Sequence, residues 1–350
     1  MKRQLLEPVG NGPVEAVVGR LGAVQAQSAF AAELSVNARR SSSTSTDVAA
    51  ALGDGRLIKI FAFRGATHLV TPEDGGIYLA LRAASRMWEL PSWRSFYRLE
   101  PADWPTFRAA VRDALAGGPL TRQQLGAAIT AQARYKHLGS AFNDQNWTLL
   151  KPLMWQGDMC FGPAIEGRTS FQRLDANPRW LGIPDLEEAG SRAVEAYFSA
   201  YGPATPKHLY YWLGEGLGAG RKRIDAWLDG LGDRLAEVNI DGESAFVLRE
   251  DLDDLLASEE ASAVRLLPAY DQWVLGPGTA DAHVTPAAQR ALVTRGANVV
   301  IATGVVSGTW SLREDRVALE WFAAGALPRQ ALAVEVRRLG QVLGRDLELE

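Results

Sequence analysis

The sequence predicts an α+β fold in which three tandem helix-helix-helix-hairpin units precede a β-rich C-terminal domain, either an open sheet or a barrel. Three observations carry this: a motif that recurs at helix ends, turn signals downstream of each copy, and a change of texture after about residue 260. At 350 residues and 47% hydrophobic, the chain is long enough to bury two or three cores and too apolar to be disordered.

The repeated motif is Gly-Pro-x-Thr-x-x-x-Leu. It occurs as Gly118-Pro119-Leu120-Thr121-Arg122-Gln123-Gln124-Leu125 and as Gly202-Pro203-Ala204-Thr205-Pro206-Lys207-His208-Leu209. Each copy follows an amphipathic run, Trp104 to Leu115 and Ala189 to Tyr201, and Gly-Pro stops that helix because proline cannot continue it. Thr121 or Thr205 then caps the next helix by accepting from its free N–H groups. A further helical run follows, and then a hairpin signal. Glu166-Gly167 separates Met159-Cys160-Phe161 from Ser170-Phe171, and Asp241-Gly242 separates Ala236-Glu237-Val238 from Phe246-Val247-Leu248. Asp-Gly suits a two-residue hairpin turn, which needs positive φ at both positions. Three helices and a hairpin make the winged-helix order.

The N-terminal segment has the same order without the Gly-Pro signature. Its helices are expected at Val14 to Leu21, Ala29 to Ala38 and Asp47 to Leu52, the last capped by Asp47, and its hairpin runs from Leu57 to Phe63 and from Thr67 to Val70 around Arg64-Gly65. The expected domains are residues 1-100, 101-180, 181-258 and 259-350. In the third unit, residues 214–220 read equally as a loop or a frayed helix. The last domain should hold strands at Val264 to Leu267, Trp273 to Leu275, Val299 to Val306, Thr309 to Leu312 and Val317 to Phe322, with Ala331 to Leu339 as a final helix. Its acidity suits a scaffold.

Charge is divided along the chain. Residues 1–151 hold 18 Lys+Arg against 12 Asp+Glu, whereas the remainder holds 19 against 29. A basic front on an acidic back suits a surface that faces a polyanion, because attraction depends on the local field rather than on the net charge of -4. Chance drift in surface charge would look the same. One cysteine and four scattered histidines offer neither a disulfide nor a metal-ligand spacing, so no cofactor or metal is expected. Neither a membrane-spanning stretch nor a signal-peptide core is visible, which makes the cytoplasm the expected address.

Gln25-Ala26-Gln27 lies where the chain turns between two predicted helices, amid small residues. Taken alone, two amides there are as readily inert and solvent-facing as functional. The frame around them is more informative. Arg20-Leu21-Gly22-Ala23-Val24-Gln25-Ala26-Gln27, Leu34-Ser35-Val36-Asn37-Ala38-Arg39, Arg64-Gly65-Ala66-Thr67-His68-Leu69-Val70 and Leu266-Leu267-Pro268-Ala269-Tyr270-Asp271-Gln272-Trp273-Val274-Leu275-Gly276 occur in that order. Together they resemble the AlkZ-type DNA glycosylase family, in the branch whose catalytic motif is Gln-x-Gln. The resemblance implies tandem winged helices and a β-rich C-terminal region in a C shape around a DNA channel. It also implies removal of alkylated purines or opening of interstrand crosslinks, and for some members self-resistance to a DNA-alkylating antibiotic.

Gln25 and Gln27 match the catalytic motif, and amides suit the chemistry. A purine alkylated at N7 is cationic and leaves readily, so the enzyme mainly holds a water near C1′ and stabilises a cationic sugar. A carboxylate base would serve uncharged lesions better. Gln27 is assigned to the water, Gln25 to orienting water or sugar phosphate. With no lysine nearby in sequence to form a Schiff base, a monofunctional glycosylase is expected.

Further candidates for DNA contact are Arg39 and Arg40, which open a hydroxyl-rich loop, and Arg64, Thr67 and His68 on the first hairpin. Each has a plainer reading: a solvated loop, a turn residue at Arg64, a half-buried strand histidine. Tyr270 and Trp273 suit core packing, and Asp271 needs a partner if buried. Trp88, Trp93 and Tyr97 either stack on bases or anchor domains. The expected partner is double-stranded DNA carrying alkylated purines, bound by a monomer. Two other function classes fit the fold. A non-enzymatic winged-helix regulator needs a recognition helix rich in base-reading side chains, and the candidate, Asn143 to Lys151, is polar at its start but sparse in positive charge. A protein-binding scaffold would suit the acidic rear half.

Overall fold

The computed structural model describes all residues, 1–350. The first unit contains α1 (Val14–Leu21), β1 (Val24–Gln25), α2 (Ala29–Asn37), α3 (Asp47–Gly53), β2 (Ile58–Phe61) and β3 (Thr67–Val70). Its sheet has the order β1-β3-β2, with Gln25 opposite His68 and Ile60 opposite His68 on the other side. The helix junction expected at the Gln-x-Gln motif is thus a strand. Two residues were too few to show a period of two, and β1 exists because β3 offers it an edge. Asp47 begins α3 instead of capping it, and its carboxylate accepts from the Thr44 N–H and hydroxyl at 3.0 and 2.6 Å.

From β3 the chain enters α4 (Pro72–Ala83), capped by Thr71 with proline at its start, and then α5 (Pro91–Tyr97). Trp88 and Tyr97 are buried in the main core and Trp93 packs against it, so this aromatic segment anchors domains. The second unit contains α6 (Trp104–Ala114), β4 (Leu120–Thr121), α7 (Arg122–Thr130), α8 (Gly139–Phe142), α9 (Leu150–Trp155), β5 (Met159–Ile165) and β6 (Arg168–Arg173), with sheet order β4-β6-β5. Thr121 caps α7 as expected, its hydroxyl accepting from Gln124 N while the Gln124 side chain accepts from Thr121 N. The polar stretch before Leu150 is not helical. Asp144 accepts from the N–H groups of Asn146 and Thr148 there, which folds the segment into a loop and removes the recognition-helix candidate.

The third unit contains α10 (Leu186–Tyr201), α11 (Pro206–Leu209), a π-helical turn at Tyr210–Glu215, α12 (Arg221–Leu231), β7 (Leu235–Ile240) and β8 (Glu243–Leu248). Thr205 caps α11, and Ala204 bridges Phe246 as β1 and β4 pair with their own hairpins. Each unit thus runs from a helix through a strand or bridge to further helices and an antiparallel hairpin, with two helices before the hairpin in the first unit and three in the second. Asp241 and Gly242 both have positive φ, as do Glu166 and Gly167, which is why those dipeptides turn the hairpins. One 50-residue core runs through all three units, whereas the first unit keeps a second core between its helices and sheet.

After α13 (Leu252–Leu256) comes a five-stranded sheet of order β13-β12-β11-β10-β9. Its strands are β9 (Val264–Leu267), β10 (Val299–Ala302), β11 (Val305–Arg313), β12 (Arg316–Trp321) and β13 (Glu348–Leu349). Two short helices, α14 (Gln272–Leu275) and α15 (Arg290–Thr294), precede β10, and α16 (Arg329–Leu343) covers one face. The strand expected at Trp273 to Leu275 is α14: the Asp271 carboxylate accepts from Trp273 N at 2.8 Å and starts a helical turn instead. The single strand expected from Val299 to Val306 is divided by a turn at Thr303-Gly304, both with positive φ. Leu34 of α2 packs in one core of this sheet and Ala38 in the other. The C-terminal domain grips the helix that follows the Gln-x-Gln strand.

Candidate active site

Gln25 is half-buried and Gln27 exposed, and the one hydrogen bond either side chain makes is from Gln25 Nε2 to Gln27 Oε1 at 3.4 Å. Strand pairing fixes both. Gln25 lies opposite His68, and Ala26 N donates to Thr67 O at 2.8 Å, so the chain passes Gln27 at the turn end of the hairpin. Ser28 ends the strand by accepting from Ala31 N and starting α2. The Gly22 backbone makes this geometry possible: its φ is 76°, and a Cβ there would lie 2.6 Å from the Tyr78 hydroxyl.

His68 is buried, with Nδ1 3.1 Å from the Ala66 carbonyl and its ring 5.2 Å from that of Phe63. Burial pushes its pKa down to about 4; the Ala66 carbonyl works against this and nearby Arg64 adds to it. It is a neutral imidazole that donates to Ala66 and shapes the sheet beside Gln25. Because the unfolded chain takes up this proton near pH 6.5 and the folded chain does not until about 4, stability falls as pH drops across that window. The expected loss is on the order of 3 kcal/mol. Urea midpoints of wild type and His68→Asn at pH 7, 5 and 4 check this: an equally steep fall in the variant would contradict it.

Arg39 and Arg40 are not the free cations expected. Arg39 is fully buried, and its guanidinium donates to both oxygens of Asp271 at 2.7 and 2.8 Å and to the Ser35 carbonyl at 2.7 Å. Arg40 pairs with Asp47 and donates to Gly12 O. The loop that follows is exposed, but its arginines point inward because they hold α2. Arg64 is exposed at positive φ, and its guanidinium lies 3.9 Å from the Tyr211 ring centroid, linking the first hairpin to the π-helical turn. Thr67 is half-buried and its hydroxyl is buried without a hydrogen-bond partner. No group of three or more His, Cys, Asp or Glu side chains is placed to hold a metal ion. No helix is long and apolar enough to cross a membrane.

The family described as DNA glycosylase AlkZ-like matches residues 18–342, a span that includes the paired glutamines and the Asp271 motif. The chain belongs to this family. It is 33% identical to an interstrand DNA cross-link repair glycosylase of Streptomyces sahachiroi, over 98% of this chain and 94% of that protein. The solved structure of Streptomyces sahachiroi DNA glycosylase AlkZ superimposes with a TM-score of 0.93 at 32% identity, covering 100% of this chain and 96% of that one. The chain is therefore a DNA glycosylase with the α+β architecture of the AlkZ-like family.

Within this AlkZ-like glycosylase, the late motif Leu266-to-Gly276 acts from behind the candidate site. Asp271 is 1% exposed and accepts from the Ser35 hydroxyl at 2.7 Å as well as from Arg39, tying α2 to the sheet. Tyr201 OH donates to the Leu21 carbonyl at 2.7 Å and lies 3.3 Å from Gln272 Oε1, which fixes the end of α1 just before β1. Gly276 leaves room for the Tyr201 ring. Tyr270 departs from the core role expected of it: it is 36% exposed. Two aromatic residues stand out only in the structure: Phe30, 49% exposed in the first turn of α2, and Tyr211 beneath Arg64. Neither had a local signal, since an exposed aromatic and a buried one look alike in sequence.

Proposed function

We propose that the protein hydrolyses the N-glycosidic bond of N7-alkylated or bulky-adducted purines in double-stranded DNA, interstrand crosslinks included, with Gln25 and Gln27 as the catalytic pair. One observation carries this reading: two neutral amides stand at the open end of β1, bonded to each other and to no carboxylate. Gln25 Nε2 donates to Gln27 Oε1, which turns that carbonyl and leaves its second lone pair for a water. Gln27 then holds the attacking water and faces the developing sugar cation, while Gln25 keeps Gln27 in orientation. A base already carrying positive charge leaves without a strong acid, so this pair suffices for cationic lesions and not for neutral ones. Lys59 pairs with Leu69 on the face of the sheet opposite Gln25, so it does not face the pair as a Schiff-base lysine would, and we read the enzyme as monofunctional.

The similarity to a cross-link repair glycosylase supports a role in DNA repair; we take that role to be alkylation repair or self-resistance to a DNA-alkylating natural product. We read the protein as a monomer of the cytoplasm that associates with the nucleoid when bound to DNA. We assign phosphate contact to Arg64, the one exposed cation among Arg39, Arg40 and Arg64. The test is base release from duplexes carrying N7-methylguanine, a bulky N7 adduct, or an uncharged damaged base. Release of the cationic bases should be faster by about 100-fold or more, the range that separates reactions with and without general acid–base help, with strand breaks only after alkali. Equal rates on charged and uncharged lesions would overturn the substrate assignment.

A further inference from the structure

Where the first hairpin meets the second unit, three cations rest on a continuous aromatic surface. Lys59 Nζ lies 5.4 Å from the Phe161 centroid, Lys151 Nζ 5.1 Å from Phe61, and the Arg122 guanidinium 4.9 Å from Trp147. The rings touch one another, Phe61 to Phe161 at 5.1 Å and Trp147 to Phe161 at 6.0 Å. None of the three cations has a carboxylate within 4 Å, in contrast to Arg56, Arg86, Arg134 and Arg168 elsewhere in the first two units. The carboxylate of Asp144, the nearby acid, is taken up by the N–H groups of Asn146 and Thr148, and Arg122 reaches only the Asp144 backbone oxygen, at 2.9 Å.

Such an arrangement is incomplete. All three side chains are half-buried, and burial lowers the pKa of Lys59 and Lys151; for Lys151 Arg82 adds to the effect and the more distant Asp144 carboxylate opposes it without offsetting it. A cation that has given up water and has no carboxylate in contact is stabilised only in part by ring faces, and an arriving anion completes it. The position is equally informative. The place a Cβ would take on Gly65 is 3.5 Å from Lys151 Nζ, so Lys151 abuts the hairpin turn at the same end of the sheet as Gln27. Two strand spacings, roughly 10 Å, separate the line of β1 from that of β2, against which Lys151 stands.

We propose that Lys151, Arg122 and Lys59 form a phosphate rail that carries the backbone of duplex DNA from the second unit along the face of the first hairpin opposite Gln25 to the turn end of the sheet, where the glutamine pair stands. The inference rests on duplex DNA being the substrate of that pair. The aromatic surface keeps the three charges apart from carboxylates and fixed in position, so each meets one phosphate. The rail positions DNA without reading sequence.

The experiment is the salt dependence of binding of the full chain to a short undamaged duplex, followed by fluorescence anisotropy. Lys151→Gln and Arg122→Gln should each reduce the slope of log K against log salt by about 0.9, and the double variant by about twice that. Lys151→Arg should keep the wild-type slope, which separates loss of charge from loss of packing. Melting curves confirm that each variant is folded. A double variant that melts normally and binds with the wild-type slope would overturn the rail. Base release by the wild type is measured alongside: a reduced slope without any base release would uphold the rail and remove the proposed function instead.

Discussion

Gln27→Ala should lower single-turnover base release from an N7-alkylguanine duplex by about 100-fold or more, the usual effect of deleting one positioned polar group that acts on the transition state, while duplex affinity stays nearly unchanged. The residue is exposed and makes one long hydrogen bond, so its removal leaves no buried group unpaired and the fold intact. Gln25→Ala should act through Gln27, because it frees the carbonyl that Gln25 orients; the double variant should then be little worse than Gln27→Ala alone. A double variant as active as wild type would end the catalytic assignment.

Asp271→Ala should destabilise the protein by roughly 3–5 kcal/mol, the range for leaving one partner of a buried pair uncompensated. The Arg39 and Asp271 side chains are both 0% exposed and are joined at 2.7 Å. Removing the carboxylate strands a guanidinium whose Nε already lacks a partner and frees the Ser35 hydroxyl. Replacing both, as Arg39→Met with Asp271→Leu, should restore most of the stability, because the loss comes from the unpaired charge. Urea midpoints read both outcomes; a shift in Asp271→Ala equivalent to less than about 1 kcal/mol, the value of a surface pair, would show that the pair is dispensable. Since α2 follows directly from Gln27, base release should also fall in Asp271→Ala at temperatures where the protein remains folded.

These two residues mark where the chain could be read and where it could not. The glutamines stood out through an ordered set of motifs, and strand pairing then gave them a geometry that two residues in a row could not announce. The cations of the first unit show the reverse. Arg39-Arg40 before a run of serines and threonines looks like a phosphate-binding loop, yet Arg39 spends its charge on Asp271, 232 residues away. Lys59, Arg122 and Lys151 had no motif, and their common feature, an aromatic face and no acid, arises only when β2 meets β5.

What the sequence determined by itself was local. Threonine caps after Gly-Pro, Asp-Gly and Glu-Gly turns, and the helical period of α1, α6 and α10 each follow from preferences acting over a few residues. Tertiary structure decided the strand at Gln25, the helix at Gln272–Leu275, and the partner of every arginine near the site. A two-residue strand exists only when a neighbour supplies its hydrogen bonds, and a buried charge is stable only beside the opposite charge that folding brings to it.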